Sequence, residues 1–222
     1  MEKERQVLVI FPHPDDEAYG VSGTIATHVE AGTPVAYACL TLGEMGRNLG
    51  VPPFTTREHL PAIRKRELED ACKIMGISDL RMLGYRDKTI EFENQPKLIN
   101  HLKTIIEEIN PSLIITFYPG YSVHPDHDAT GAAVIEAVKL INEEKRPKVH
   151  CVAFSRNCEE FIGEPDIIYN IEKMAEIKLA AIEAHRSQTQ YTIQALKDAY
   201  KTKDPKAAAR LNYERFWTYS FE

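Results

Sequence analysis

Two short clusters in this 222-residue chain bring together residue types that can do chemistry. His13-Pro14-Asp15-Asp16-Glu17 follows the apolar run Gln6–Phe11, and Tyr118-Pro119-Gly120-Tyr121-Ser122-Val123-His124-Pro125-Asp126-His127-Asp128 follows Leu113–Phe117. Histidine and carboxylate are ligands of catalytic zinc, which takes three protein groups and keeps a further position open. His13 and Asp16 are three apart with a proline between them, so a tight turn can aim both at one point. His127 offers a third ligand. Asp15 then points differently from Asp16 and is free to act as a base on water at the metal. His124 stays outside the ligand set as a polar group, and Asp126 can hold an imidazole in the tautomer a site needs. The same residues have plainer uses: His-Pro pairs make turns, and Asp16, Glu17 or Asp128 can cap a helix or favour its dipole. One cluster alone leaves these readings even. Two His-Pro-Asp tripeptides at two strand ends favour a metal or catalytic site.

Hydrophobic periodicity supplies the elements that must position them. Gln6–Phe11 and Leu113–Phe117 are short continuous apolar runs, as in strands buried on both faces of a parallel sheet. Further strands are expected at Val35–Leu42, Leu80–Leu83, Val149–Ser155 and Ile167–Tyr169, with a late strand or ordered cap over Tyr213–Phe221. Helices are expected at Val21–Ala31, Pro61–Met75, Pro96–Ile109, Ala129–Ile141, Glu172–Ala184 and Ile193–Tyr200. This alternation predicts an α/β fold, a Rossmann-like and mainly parallel sheet flanked by helices. It reads as one domain over residues 1–222, with the C-terminal helices and tail from about residue 171 packing on the core. Such folds bind ligands outside the carboxyl ends of their strands, where both clusters fall. The Gly43–Leu60 stretch is a long glycine-bearing loop, of the kind that serves as a lid or binding loop.

Lys and Arg total 27 against 33 Asp and Glu, a net charge of −6, and hydrophobic residues make up 43%. That is an ordinary globular profile. Mild acidity without a basic block argues against nucleic acid and anionic membrane surfaces and favours a small-molecule substrate. The apolar run after the charged N-terminus is only five residues, too short for a signal core or a membrane span. Cys39, Cys72, Cys151 and Cys158 form no C-x-x-C pair and read as reduced core thiols, so a cytoplasmic location is expected.

The two motifs resemble those of the PIG-L/LmbE-type zinc-dependent N-acetylglucosaminyl deacetylases, and the resemblance spans nearly the whole chain. It includes Thr41-Leu42-Gly43-Glu44, Arg64-Lys65-Arg66-Glu67-Leu68, Leu83-Gly84-Tyr85-Arg86-Asp87 and the segment from Lys178 through His185-Arg186-Ser187-Gln188. Within the family, length and acidic character look most like the bacillithiol-pathway enzymes that deacetylate N-acetylglucosaminyl malate. The resemblance implies zinc, with Fe²⁺ as the alternative metal, on His13, Asp16 and His127. It implies Asp15 as general base and His124 at the oxyanion or leaving amine, oriented by Asp126. Arg64 and Asp87 match positions near the sugar. Arg47 is a candidate for the malate carboxylates, Tyr121 for the oxyanion side, and His185 for the crevice wall. Relatives often assemble, so a homo-oligomer is a further expectation.

Four alternatives compete. Two histidines and a carboxylate also make the facial triad of non-haem iron oxygenases, which commonly sit on all-β scaffolds. A dinucleotide binder would need G-x-G-x-x-G where this chain has His13-Pro14-Asp15-Asp16-Glu17. A sugar- or metal-binding protein without turnover would need neither Asp15 nor His124, and a deacetylase of another N-acetyl sugar, such as a chitin-type oligosaccharide, would keep every motif.

Overall fold

The computed structural model describes residues 1–221. Its strands are β1 (Val7–Phe11), β2 (Val35–Cys39), β3 (Asp79–Met82), β4 (Leu113–Phe117), β5 (Lys148–Val152), β6 (Ile167–Asn170) and β7 (Tyr213–Thr218). They form one sheet in the order β3-β2-β1-β4-β5-β7-β6. The first five are parallel, and β7 runs antiparallel to both β5 and β6. The chain builds outward from β1 through β2 to β3, then returns to place β4 on the other side of β1. That reversal is the crevice where α/β folds bind ligands.

The helices are α1 (Asp16–Gly20), α2 (Ser22–Glu30), α3 (Leu60–Met75), α4 (Gln95–Ile109), α5 (Pro125–Lys139), α6 (Cys158–Ile162), α7 (Ala175–Ala184), α8 (Arg186–Lys201) and α9 (Pro205–Asn212). They cover both faces of the sheet, which is why β1 and β4 are apolar throughout. Val7, Val9 and Phe11 face the layer that holds Ile25, Leu68, Ala71 and Leu179. Leu8 and Ile10 face the opposite layer, with Leu98, Leu102, Val134 and Val138. Gly131 lets α5 lie directly on the end of β4, since a Cβ there would collide with the Phe117 carbonyl. This close approach fixes the start of α5, and with it His124 and His127.

Several elements differ from the sequence expectation. The helix expected over Val21–Ala31 is present as α2, and a short helix that was not expected, α1, precedes it from inside the His-Pro-Asp-Asp-Glu motif and meets it at Val21. The helix expected at Ala129 begins at Pro125, because proline suits a first helical position and the His124 ring caps the turn by accepting from the Asp126 N–H at 3.1 Å. Asp128, weighed as a cap, instead accepts from the Ser122 N–H at 3.0 Å. The helix expected at Ile193 starts at Arg186, and α6 and α9 were not expected. The tail is a strand inside the sheet. It carries Glu214, which accepts from the Gly23 and Thr24 N–H groups at the start of α2 and pairs with buried Lys178 of α7 at 2.6 Å.

All four cysteines are buried and free. No helix among the described residues is long and apolar enough to cross a membrane.

Candidate metal centre and active site

His13 and His127 enter from the ends of neighbouring strands, and their hydrogen bonds determine which ring atoms are left over. His13 Nε2 lies 3.1 Å from Asp126 Oδ2 and 3.1 Å from Asp87 Oδ1, so Nε2 carries the proton and Nδ1 presents a lone pair. His127 Nδ1 lies 3.0 Å from the Ser122 carbonyl, which can only accept, so Nε2 presents its lone pair. These two nitrogens face each other at 3.2 Å. Asp16 brings one carboxylate oxygen to 3.4 Å from His13 Nδ1 and the other to 3.2 Å from His127 Nε2. Two imidazole lone pairs and a carboxylate thus converge, and the one donor at hand is the His13 backbone N–H, which lies 2.9 Å from the Asp16 oxygen nearer His13.

That donor set fits a divalent cation, and its outer contacts are those a metal-binding histidine needs to hold its tautomer. The electrostatics agree. Burial opposes a charged His13, but its contacts with Asp126, Asp16 and Asp87 outweigh burial and hold its pKa well above the ordinary value. Burial likewise opposes a charged Asp16, yet His127 and His13 hold that carboxyl well below the usual range. Positive charge is favoured where the three groups meet.

His124 also places a nitrogen within 4.8 Å of the His13 and His127 donor atoms. His13, Asp87 and Asp126 form a second buried group of donor atoms within 4.8 Å of one another. There the His13 N–H already satisfies the two carboxylates, and the Asp126 oxygens also take the N–H groups of Lys88 at 2.6 Å and Ile90 at 3.1 Å. Either group can hold an ion by ligand type; the Asp16 side offers two imidazole lone pairs, where the other side meets the His13 Nε2–H. Phe117 stacks on His127 at 4.1 Å between ring centroids and fixes the plane of that imidazole.

Asp15 sits beside this cluster in a left-handed backbone conformation, φ 105°, uncommon for a residue with a side chain. Burial raises its pKa to about 6 against the pull of Arg64, which suits a group that exchanges protons near neutrality. Arg64 Nη2 lies 3.1 Å from Asp15 Oδ2 and also donates to the Pro14 carbonyl, while Nη1 donates to the Gly43 carbonyl at 3.0 Å. Gly43 has φ +60°, and a Cβ there would collide with this guanidinium. His124 accepts on Nδ1, leaving Nε2–H as its donor, and burial with the neighbouring His13 and His127 lowers its pKa. It therefore donates as a neutral imidazole.

Other expectations need correction. Asp126 does not orient His124: its carboxylate reaches His13, and only its backbone N–H meets His124. Arg64 and Asp87, expected at the sugar, are 4% and 3% exposed and are taken up by Asp15 and His13. Both position the site. His185 does not line the crevice; it is 0% exposed, with Nε2 2.6 Å from Glu17 Oε1. Tyr121 packs its ring against Tyr118 and Phe161, and its hydroxyl meets no site residue among the described contacts. Arg47 is exposed on the long loop.

Sequence reasoning missed the bonds that hold this loop and the Asp15 turn. Gln188 donates to the Arg47 carbonyl at 2.9 Å, Leu49 N–H to the Ser187 carbonyl at 2.7 Å, and Gln190 exchanges two bonds with Val51. Asp87 takes the Met45 N–H at 2.8 Å, so the loop is tied to His13 through one carboxylate. Glu67 accepts from both the N–H and the hydroxyl of Ser187. Glu17, inside the motif, reads from the sequence only as a cap. No signal in the sequence pointed to its partners Tyr37 and His185.

The model of the GlcNAc-PI de-N-acetylase family, PIG-L, matches residues 8–138. The chain belongs to the PIG-L family. The match runs from β1 through α5 and so includes both histidine clusters. A Bacillus cereus protein described as "probable N-acetyl-alpha-D-glucosaminyl L-malate deacetylase 2" is 52% identical over 219 residues, 99% of this chain and 100% of that one. The N,N'-diacetylchitobiose deacetylase of Pyrococcus horikoshii has a similar structure, with TM-score 0.76 and 25% identity over 97% of this chain and 84% of that one. The 4-carboxy-2-hydroxymuconate hydratase GalB of Pseudomonas putida reaches TM-score 0.75 at 19% identity, over 98% of this chain and 97% of that one. The last likeness shows only the shared fold, and function has to be argued from the site.

Proposed function

We propose that this chain is a zinc-dependent amide hydrolase that removes the acetyl group from N-acetylglucosaminyl L-malate, as in bacillithiol biosynthesis. The observation that carries the reading is the meeting of His13 Nδ1, His127 Nε2 and the Asp16 carboxylate beside Asp15. The substrate class rests on the full-length Bacillus cereus relative.

His13, Asp16 and His127 would hold the ion. When bound, zinc supplies a water acidified to a pKa of about 7 and an electrophile for the acetyl carbonyl. Asp15 accepts a proton from the attacking water and later gives it to the departing amine, so that water and amide become acetate and amine. The Arg64 contacts keep the Asp15 carboxylate aimed during both transfers. His124 donates from Nε2–H to the carbonyl oxygen as negative charge develops there, a contact whose loss costs about 100–1000-fold in comparable sites. Asp126 and Asp87 hold His13 in the tautomer that leaves Nδ1 free. Arg47 is assigned to the malate carboxylates, a guanidinium being the side chain best matched to them. The enzyme would act in the cytoplasm on this small molecule.

Acetate release from N-acetylglucosaminyl malate, free N-acetylglucosamine and diacetylchitobiose tests the assignment, before and after chelation and with Zn²⁺ or Fe²⁺ restored. Preference for the malate conjugate, lost on chelation and regained with zinc, is the expected result. Preference for diacetylchitobiose would move the substrate, and recovery with iron alone would change the metal.

A further inference from the structure

We propose that Glu17 and His185 form a buried positioning pair that holds the Asp15 turn in its active conformation, acting through the backbone rather than through substrate or metal. The proposal rests on the reading of Asp15 as the base. The Asp15 backbone, φ 105° and ψ −23°, lies where residues with side chains are rare, and something must hold it there. Asp15 precedes the first residue of α1, yet its own side chain makes no capping bond. Its N–H donates to Glu17 Oε2 at 3.1 Å. The same carboxylate oxygen takes the Tyr37 hydroxyl at 3.1 Å, and the Tyr37 hydroxyl also lies 3.2 Å from the His13 carbonyl. Glu17 Oε2 thus holds the Asp15 end of the His13-Pro14-Asp15 segment directly, and the Tyr37 hydroxyl shares its single proton between that oxygen and the carbonyl at the His13 end.

The other oxygen of Glu17 lies 2.6 Å from His185 Nε2, and both residues are 0% exposed. Water has no access to stand in for either partner. His185 Nδ1 has no hydrogen-bond partner among the described residues, so the polar contact of this ring is directed to Glu17 alone. His185 lies between α7 and α8, 168 residues from Glu17 in the chain. Through this pair the C-terminal helices set the turn at the end of β1. Arg64 holds the Asp15 carboxylate, and Glu17 holds its peptide. Both Glu17 and His185 are fully buried, so any effect on turnover must pass through the turn they hold, and bound zinc tells an effect on His13 and Asp16 from one on Asp15.

A double-mutant cycle separates positioning from general stability. Glu17→Ala and Asp15→Ala are made singly and together, and kcat, KM and bound zinc per chain are measured for each. Glu17→Ala is expected to lower kcat by about 10–100-fold, with KM and zinc content unchanged. In the Asp15→Ala background the same change should cost less than about threefold, because its target is gone. Glu17→Gln, which keeps an acceptor for the Asp15 N–H, should recover most of the loss. An equal loss in both backgrounds, or a loss that follows zinc content, would overturn the proposal. If Glu17→Ala is insoluble, His185→Gln enters the same cycle with the same outcomes. Hydrogen exchange of the Asp15 amide gives a readout without turnover: faster exchange in the variant supports the clamp, and unchanged exchange overturns it. A wild type that releases no acetate would sink the deacetylase reading and leave the exchange result to decide the clamp.

Discussion

Replacing Asp126 by Asn separates two jobs that one carboxylate can do. The side chain is 0% exposed and faces three donors: His13 Nε2–H, Lys88 N–H and Ile90 N–H. Asparagine has nearly the same shape, but its nitrogen end can only donate, so at least one of these donors loses its acceptor. Hydrogen bonds to a charged group are worth about 1.5–3 kcal/mol. Losing an outer carboxylate behind a metal-binding histidine commonly weakens the metal about 10–100-fold, which corresponds to about 1.4–2.8 kcal/mol. The two magnitudes agree. Zinc affinity, measured by competition with a chromophoric chelator, should therefore fall by one to two decades, while turnover at saturating zinc stays within about tenfold of wild type. Unchanged zinc affinity with a loss of kcat that saturating zinc does not repair would refute the reasoning. It would return Asp126 to the orientation of His124.

Further outcomes follow from other contacts. Arg64→Gln removes the cation that pulls the Asp15 pKa down against burial, so the acidic limb of kcat/KM should move to higher pH by about one unit or more; an unmoved limb would exclude the pairing. His28, 2% exposed, has its pKa pushed by burial down to about 4, so the unfolded chain binds a proton that the fold refuses. Stability should therefore drop as pH falls from about 6.5 toward 4, by up to about 3 kcal/mol from this group, and His28→Leu should flatten that part of a Tm-versus-pH curve. Replacing Gln188 and Gln190 together by Ala releases bonds that pin the 43–60 loop. It should raise KM about 2–10-fold with little change in kcat and speed proteolysis within the loop; equal digestion rates would show that the loop is held elsewhere.

The metal-side residues were legible because their geometry is local. His13 and Asp16 are brought together by one turn, and an apolar strand before each cluster locates both at the same sheet edge. The fold class was legible for the same reason, since runs such as Val7–Phe11 and Leu113–Phe117 need cover on two faces. What lay behind the proposed ligands was not legible. The partner of Asp126 depends on where the backbone of Lys88 and Ile90 passes, and no spacing encodes that. Arg64 occupies an ordinary helical position, and only the packing of α3 under Gly43 makes it a buried guanidinium. His185 reads as a helix-end histidine until the fold brings Glu17 to it. The unexpected α9 had a usable signal, because Asp204 before Pro205 caps the helix by accepting from the Lys206 and Ala207 N–H groups.

The ion is assigned to the Asp16 side of His13. Anomalous diffraction at the zinc edge, from crystals of the zinc-loaded protein, tests it most directly. One strong peak bonded to His13 Nδ1, His127 Nε2 and Asp16 is the expected result. A peak bonded to His13 Nε2, Asp87 and Asp126 instead would contradict it.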